Sequence, residues 1–216
     1  TGSLALEETI DLYAEGSVAF NALSGVAVGT GSFSLTLGSV YGADTQGTPL
    51  SVGSATIPAS AVAVSLSEVD VWVGVGGSLS GTGDNDVSDP TSFENDAVVE
   101  GSLGFHGTVD AMNLALLKDP KTSATTDDVS YLGLSLNNLN ASLVGLEDVL
   151  EFNAWNINVL VNKASDTDAN PATTPRKLDW STFSVSAGIA LPDFTAAGTG
   201  SLALEETIDL YAEGSV

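Results

Sequence analysis

Apolar and polar residues alternate along most of this chain, in short runs. The alternating apolar positions include Ile10, Leu12, Ala14, Phe33, Leu35, Leu37, Val69, Val71, Val73, Ile157, Val159 and Val161. A period of two residues places one set of side chains toward a core and the other in water, as in a half-buried β-strand. Gly, Ser, Asn and Asp, which are turn-forming residues, separate the runs. The pattern therefore predicts an all-β protein of short strands, with breaks at Gly16, Gly25, Gly29, Gly31, Gly38 and Gly145.

The two ends of the chain have the same sequence. TGSLALEETIDLYAEGSV occupies residues 1–18 and again residues 199–216. Self-similarity at a fixed period indicates a repeat architecture, so the chain is interpreted as one 198-residue period and the start of the next. A weaker likeness joins GSLALEETID near the start to GSLGFHGTVD, 99 residues later. We therefore predict a first half-repeat at 1–99, a second at 100–198, and the start of the next period at 199–216.

Two all-β architectures fit this pattern. In a β-solenoid (a parallel β-helix), short strands turned by Gly or Asn coil into a stack, and each coil pairs with the next. The alternative is a series of β-sandwiches, because a half-repeat is close to the ~100 residues of an immunoglobulin-like domain. The sequence across the repeat boundary, FTAAGTGSLALEETIDLYAEGSV, contains no linker-like stretch, and this favours the solenoid.

The terminal identity has a second explanation. A C-terminal copy of an N-terminal strand is also the arrangement of donor-strand complementation, in which an added strand completes a sheet. Such a copy usually follows an added linker, and the sequence contains none before residue 199.

Composition and charge narrow the class of partner. With 43% hydrophobic and 15% charged residues, the chain is able to bury a core. The net charge is −23, and all five basic residues lie between residues 118 and 177. Because such a surface repels phosphate and anionic lipid, we expect no nucleic-acid partner. We also expect no membrane insertion, since no run approaches the roughly 18 apolar residues of a spanning helix.

Two acidic segments contain the ligand types that calcium prefers. They lie in the predicted loops 81–96 and 163–177. Calcium takes six to eight oxygen ligands, and closely spaced carboxylates supply them. The EF-hand pattern fails in the second loop, where Pro171 takes the glycine position and Lys177 the glutamate position. The hypothesis is a calcium site with ligands from Asp84, Asp86, Asp89, Asp166, Asp168 and Asn170.

No catalytic or cofactor-binding residue is predicted. His106 is the single histidine, cysteine is absent, and no G-x-S-x-G motif places a nucleophile. A structural or surface role is therefore expected for His106, and the chain is not expected to be an enzyme. Aromatic residues suit either a carbohydrate groove or the cover of a core, and the candidates are Trp72, Trp155, Trp180, Tyr13 and Tyr41.

Glycine-punctuated Val, Leu and Ala strands, high acidity, absence of Cys and near-exact repetition extend over the whole chain. In these features the chain resembles giant tandem-repeat adhesins of bacteria and filamentous-haemagglutinin-like β-helices. The resemblance implies a secreted, non-catalytic cell-surface role. The expected function is a structural repeat unit of an extracellular β-rich fibre or stalk, whose partners are neighbouring repeats or identical chains. The alternative is a calcium- or glycan-binding adhesin module with sites in the acidic loops.

Overall fold

The protein is built of β-strands, which confirms the predicted all-β class. The computed structural model describes residues 7–45, 49–50, 58–81, 90–120, 128–166, 175–194 and 203–216. The elements are β1 (Ile10–Ala22), β2 (Ala27–Ala43), β3 (Pro49–Leu50), β4 (Ala59–Val75), β5 (Ser78–Leu79), a 3₁₀ turn (Pro90–Phe93), β6 (Val98–Val99), β7 (Leu103–Asp119), β8 (Val129–Val144), β9 (Asn153–Asp166), β10 (Ser184–Gly188) and β11 (Leu210–Ser215). Within these ranges no helix is long and apolar enough to cross a membrane.

Seven strands form one open sheet in the order β1-β2-β4-β7-β8-β9-β11. The short strands β3 and β10 also pair with β2, and β5 pairs with β6 in a separate two-stranded sheet. Each strand in the main order pairs with its neighbour antiparallel. Strands β4 and β7 join the two predicted half-repeats in one sheet, from Ser60 opposite Lys118 to Val75 opposite Leu103.

This pairing differs from the predicted β-solenoid, whose coils would pair in parallel. The main strands are also longer than predicted, because Gly16, Gly29, Gly31 and Gly38 lie inside β1 and β2 rather than at corners. Aromatic rings cover two of these glycines. Phe33 stands directly opposite Gly16, and a Cβ on Gly29 would lie 2.6 Å from the ring of Phe20. Covering a strand glycine with an aromatic ring from the next strand is a known way to stabilise a sheet.

The core lies between the sheet and the segment that follows β9. This segment reaches β2, where β10 pairs with Tyr41 and neighbouring residues. It then returns past β7, where Asn113 Nδ2 donates to the Asp193 carbonyl at 2.8 Å, and ends as β11 beside β9. The main core consists of Val40, Ala59, Ala61, Ala63, Ala115, Leu117, Val129, Tyr131, Leu160, Leu178, Trp180, Ile189, Phe194 and Leu204. A smaller cluster of Val28, Trp72 and Leu79 includes a residue of β5.

Candidate functional site: the two edges of the sheet

The two copies of the repeated sequence lie at opposite edges of the same sheet. The first copy forms β1 and pairs with β2, and the second forms β11 and pairs with β9. The sheet order contains six long strands before the sequence of β1 recurs as β11. Because antiparallel neighbours alternate in direction, an even number of strands gives β1 and β11 the same direction. The last strand of the sheet therefore has the same sequence and the same direction as its first strand.

Two local hydrogen bonds recur in the described parts of both copies, which lie in different surroundings. A turn before the strand is closed by Ile10 N donating to Glu7 O at 3.0 Å, and by Ile208 N donating to Glu205 O at 3.1 Å. In the first copy Tyr13 Oη donates to Glu15 at 2.5 Å. The matching tyrosine of the second copy donates to its own glutamate at 2.7 Å. These hydrogen bonds, with some burial, raise the pKa of both tyrosines.

The registers of the two copies are compatible with one strand that serves both neighbours. In β11 the carbonyl of Asp209 accepts a hydrogen bond from Asn162 N at 3.2 Å. The matching residue of the first copy, Asp11, is skipped at a register shift and has no partner in the β1–β2 pair. The pairing with β2 therefore leaves free the backbone position that β9 binds.

Basic side chains hold the second copy in place. Lys177 Nζ lies 2.9 Å from Asp209 Oδ1 and donates to the Ile208 carbonyl at 2.8 Å, while Arg176 pairs with Glu206. The hydrogen bond from Lys177 holds the pKa of Asp209 below its usual range. With Lys163, these residues line a pocket of about 400 Å³. Three of the five basic residues of the chain thus lie beside the second copy of the repeated sequence.

Asn162 ties this edge to the core. Its fully buried side chain donates from Nδ2 to the Leu178 carbonyl at 2.7 Å and to the Glu205 carbonyl at 3.0 Å. Its Oδ1 accepts from Trp180 Nε1 at 3.1 Å. The side-chain amide of Asn162 therefore connects β9, the segment that follows β9 and the second copy.

A ladder of polar side chains runs across the strands to the same edge. Asn138 Nδ2 donates to Asp110 at 2.7 Å, and Asn158 Oδ1 accepts from Asn138 N at 3.0 Å. Asn158 Nδ2 then donates to Glu213 of β11 at 3.3 Å. The backbone of Asn138 has a φ of 53°, in the left-handed region that Asn tolerates better than most residues. The second copy thus completes a network that begins at β7.

The predicted calcium ligands are placed only in part. Asp166 is the last residue of β9 and stands opposite Val129, so the strand extends into the predicted loop. Asp84, Asp86, Asp89, Asp168 and Asn170 lie outside the described residues. Among the residues that are described, no group of three or more acidic, His or Cys side chains could hold a metal ion.

His106 is held between two carboxylates. Its Nε2 lies 2.6 Å from Asp70 Oδ1, and its Nδ1 lies 2.6 Å from Glu100 Oε1. Because the two carboxylates bind different ring nitrogens, they do not converge on one point. The contacts join β4, β7 and the chain before β7, which is a structural arrangement.

The tryptophans of the predicted carbohydrate groove occupy different environments. Trp72 and Trp180 are buried in the two cores. The exposed Trp155 borders a pocket of about 320 Å³ that is also lined by His106, Asn140 and Asn153.

No protein-family model, curated protein or solved structure matches this chain.

Sequence reasoning identified the repeat but missed that its copies form the two edges of one sheet. One signal was present in the sequence. Arg176 and Lys177 lie in a short basic segment of an otherwise acidic chain, about thirty residues before the acidic Glu205-Glu206 pair. The opposite charges of this basic segment and of the second copy could have indicated that the two parts meet.

Proposed function

We propose that this chain is a structural repeat unit of an extracellular β-rich fibre or cell-surface stalk, in which one antiparallel sheet continues from period to period. The observation that carries the proposal is the position of identical segments at the two edges of one sheet. In a longer array, the strand that ends one period is the strand that begins the next. The unit is non-catalytic and contributes length and stiffness, and its partners are neighbouring periods.

The finer architecture of the proposed fibre follows the observed pairing. Parallel solenoid coils would stack a short strand on the same strand of the next coil. Here each period instead adds a meander of six long strands, and β11 of one period acts as β1 of the next. Exposed edge strands promote aggregation, and in an array of this kind the long strands of the main sheet are edges only at its two ends.

A chain of two full periods followed by the same 18 residues tests the proposal by amide hydrogen exchange. In an edge strand, only alternate amides point to a neighbour and are bonded, whereas an inner strand has all of them bonded. In the internal copy of the repeated strand, we therefore expect slow exchange at every position matching Leu210–Ser215. The C-terminal copy of the same chain should keep the alternating pattern and serves as the control.

If the internal copy exchanges with the alternating pattern of an edge strand, the sheet stops at each period. The periods are then separate bodies on a string, and the proposed continuous fibre is wrong.

A second candidate function is a binding module that presents glycan or calcium sites. The specific observation for a glycan is Trp155, which is 45% exposed beside the pocket with His106, Asn140 and Asn153. An exposed aromatic face next to amide groups is an arrangement suited to stacking on a sugar. We would titrate the chain with neutral oligosaccharides and follow tryptophan fluorescence. Saturable quenching that is lost in Trp155→Ala supports this candidate, and unchanged fluorescence in the intact chain contradicts it.

A further inference from the structure

We infer that the edge of β9, with Arg176 and Lys177 beside it, is a docking site for the N-terminal strand of a second copy of this chain. In the structure, residues 203–216 of the same chain occupy this site. The inference rests on the proposed function and extends it, because it assigns a recognition role between separate molecules. The occupant is defined by its sequence, which residues 7–18 share with residues 205–216.

The register of the docked strand follows from that of β11. Residues Leu210, Tyr211, Ala212 and Glu213 pair with Val161, Leu160, Val159 and Asn158. The second copy would therefore place Leu12 opposite Val161 and Ala14 opposite Val159. Its Glu15 would take the hydrogen bond from Asn158 Nδ2 that Glu213 now accepts at 3.3 Å.

Charge makes the site selective for this strand. Glu8 and Asp11 of the second copy would replace Glu206 and Asp209 as the partners of Arg176 and Lys177. Within their own molecule Glu8 and Asp11 are exposed, and among the described residues neither has an ion pair. Residues 1–117 contain no Lys or Arg, so the first half of the chain has no cation to offer them.

The strand can be bound on both sides at once because Gly16 leaves room. In the first copy, a Cβ at Gly16 would lie 3.7 Å from the Phe33 ring of β2. In the second copy, a Cβ at Gly214 would lie 2.7 Å from Ile157 of β9. A docked β1 would therefore hold Phe33 of its own molecule and Ile157 of the other over the same glycine.

Such docking is head-to-tail. The surface that accepts the strand differs from the surface that supplies it, and a heterologous contact of this kind builds open filaments when the rotation does not close a ring. The chain's own C-terminal copy competes for the site with an effective concentration of about millimolar. We therefore expect the intact chain to be monomeric at micromolar concentration, and to assemble when its own copy is weakened.

The repeat supplies a matched set of full-length variants for the test. Glu206→Lys with Asp209→Lys repels the chain's own C-terminal copy from Arg176 and Lys177. Glu8→Lys with Asp11→Lys makes the same change in the strand that would be donated. The fourfold variant combines both pairs. Molar mass is measured by light scattering across a concentration series.

Only one of the three variants is expected to form oligomers. Glu206→Lys/Asp209→Lys should form oligomers whose mean mass rises at least about twofold with concentration, as an open head-to-tail association requires. The Glu8→Lys/Asp11→Lys and fourfold variants should remain monomeric, because their N-terminal strands carry the wrong charge. Oligomers that persist in the fourfold variant would overturn the proposal, since they would show unselective edge association.

A monomeric Glu206→Lys/Asp209→Lys variant would also overturn the proposal. In one case β11 stays paired with β9 despite the reversed charges, so that charge does not select the strand. In the other case β11 leaves, but the exposed edge of β9 does not bind β1 of a second molecule.

Disulfide capture checks the register in the same background. The chain has no cysteine of its own. Ala14→Cys with Val159→Cys should give disulfide-linked oligomers, because residues directly opposite in antiparallel strands lie within disulfide reach. The control, Ala14→Cys with Val161→Cys, is out of register and should link far less. Equal linking in both would contradict the docking geometry.

These outcomes are distinguishable from failure of the proposed function. If separate chains do not exchange strands while a two-period chain shows full amide protection at its internal copy, the sheet is continuous only within a covalent array. If the two-period chain also fails, both proposals are wrong.

Discussion

At the residue scale, the buried side chain of Asn162 connects β9 to the second copy of the repeated sequence. We expect Asn162→Leu to lower the free energy of unfolding by about 3 kcal/mol, because buried polar groups of Trp180 and Leu178 lose their partner. Chemical denaturation measures this change. Asn153→Leu is the matched control, since Asn153 is exposed on the same strand. Its effect should stay within about 0.5 kcal/mol, and equal losses in the two variants would contradict the role assigned to Asn162.

Two strand glycines, Gly133 and Gly107, differ in the space that an added side chain would have. A Cβ at Gly133 would lie 2.7 Å from the ring of Trp180, whereas a Cβ at Gly107 would meet only the Asn140 carbonyl, at 3.5 Å. Overpacking a core costs about 1–3 kcal/mol, so Gly133→Ala should lower the free energy of unfolding by that amount. Gly107→Ala should leave it unchanged or raise it slightly. Thermal denaturation of both variants decides the matter, and a stable Gly133→Ala would show that Trp180 does not pack as described.

The roles of the tryptophans and the contacts of His106 could not be predicted from residue type alone. Trp72, Trp155 and Trp180 suited either a core or a groove, and burial depends on which strands become neighbours. His106 was expected to be structural because the sequence holds no second histidine and no cysteine. Its contacts with Asp70 and Glu100 could not be predicted, because those residues come from separate segments that only the sheet brings together.

At the element scale, the sequence located the strands better than it located their ends. Period-two alternation correctly predicted strands along β1, β2, β4 and β9. The predicted breaks at Gly16 and Gly29 were wrong, because a glycine under an aromatic ring continues a strand. Gly25 and Gly145 do lie at turns, with φ of 86° and 88°, which side-chain-bearing residues rarely adopt. Composition does not distinguish these two uses of glycine.

The docking of β11 should weaken in acid. The depressed pKa of Asp209 means that the carboxylate form favours the docked strand. This stabilisation is fully present above the usual aspartate pKa near 4, and it is lost as the pH falls through the lower value of the folded state. We therefore expect the amide protection of residues 210–215 to decrease over that range relative to residues 12–17.

The repeat provides the reference for this measurement. Because the two copies have the same sequence, their intrinsic exchange rates are closely similar, and the ratio of their protection reports pairing. Asp209→Asn removes the titrating group and should flatten the pH dependence of the ratio. A ratio that falls equally in this variant would assign the acid effect to another group.

At the scale of the whole molecule, the sequence predicted the all-β class, which the structure confirms, whereas the 198-residue period stays a prediction. The sequence did not predict the arrangement of strands. Alternation with period two is the same in parallel and antiparallel sheets, so it could not separate a solenoid from a meander. The identity of the two ends indicated a repeat, but only the sheet order places these ends at opposite edges. The calcium site in the acidic loops, with ligands that include Asp84 and Asp168, stays a prediction.

The axial rise per period in a multi-period fibre tests the continuous sheet most directly. Neighbouring strands lie about 4.8 Å apart, so the six long strands of a period predict a rise of about 29 Å along a smooth ribbon. Electron microscopy of the fibre measures this repeat. A rise near 29 Å supports one sheet that passes through every period. A beaded thread with a repeat of roughly 70–90 Å, as for two sandwich-sized domains of ~100 residues per period, would contradict it.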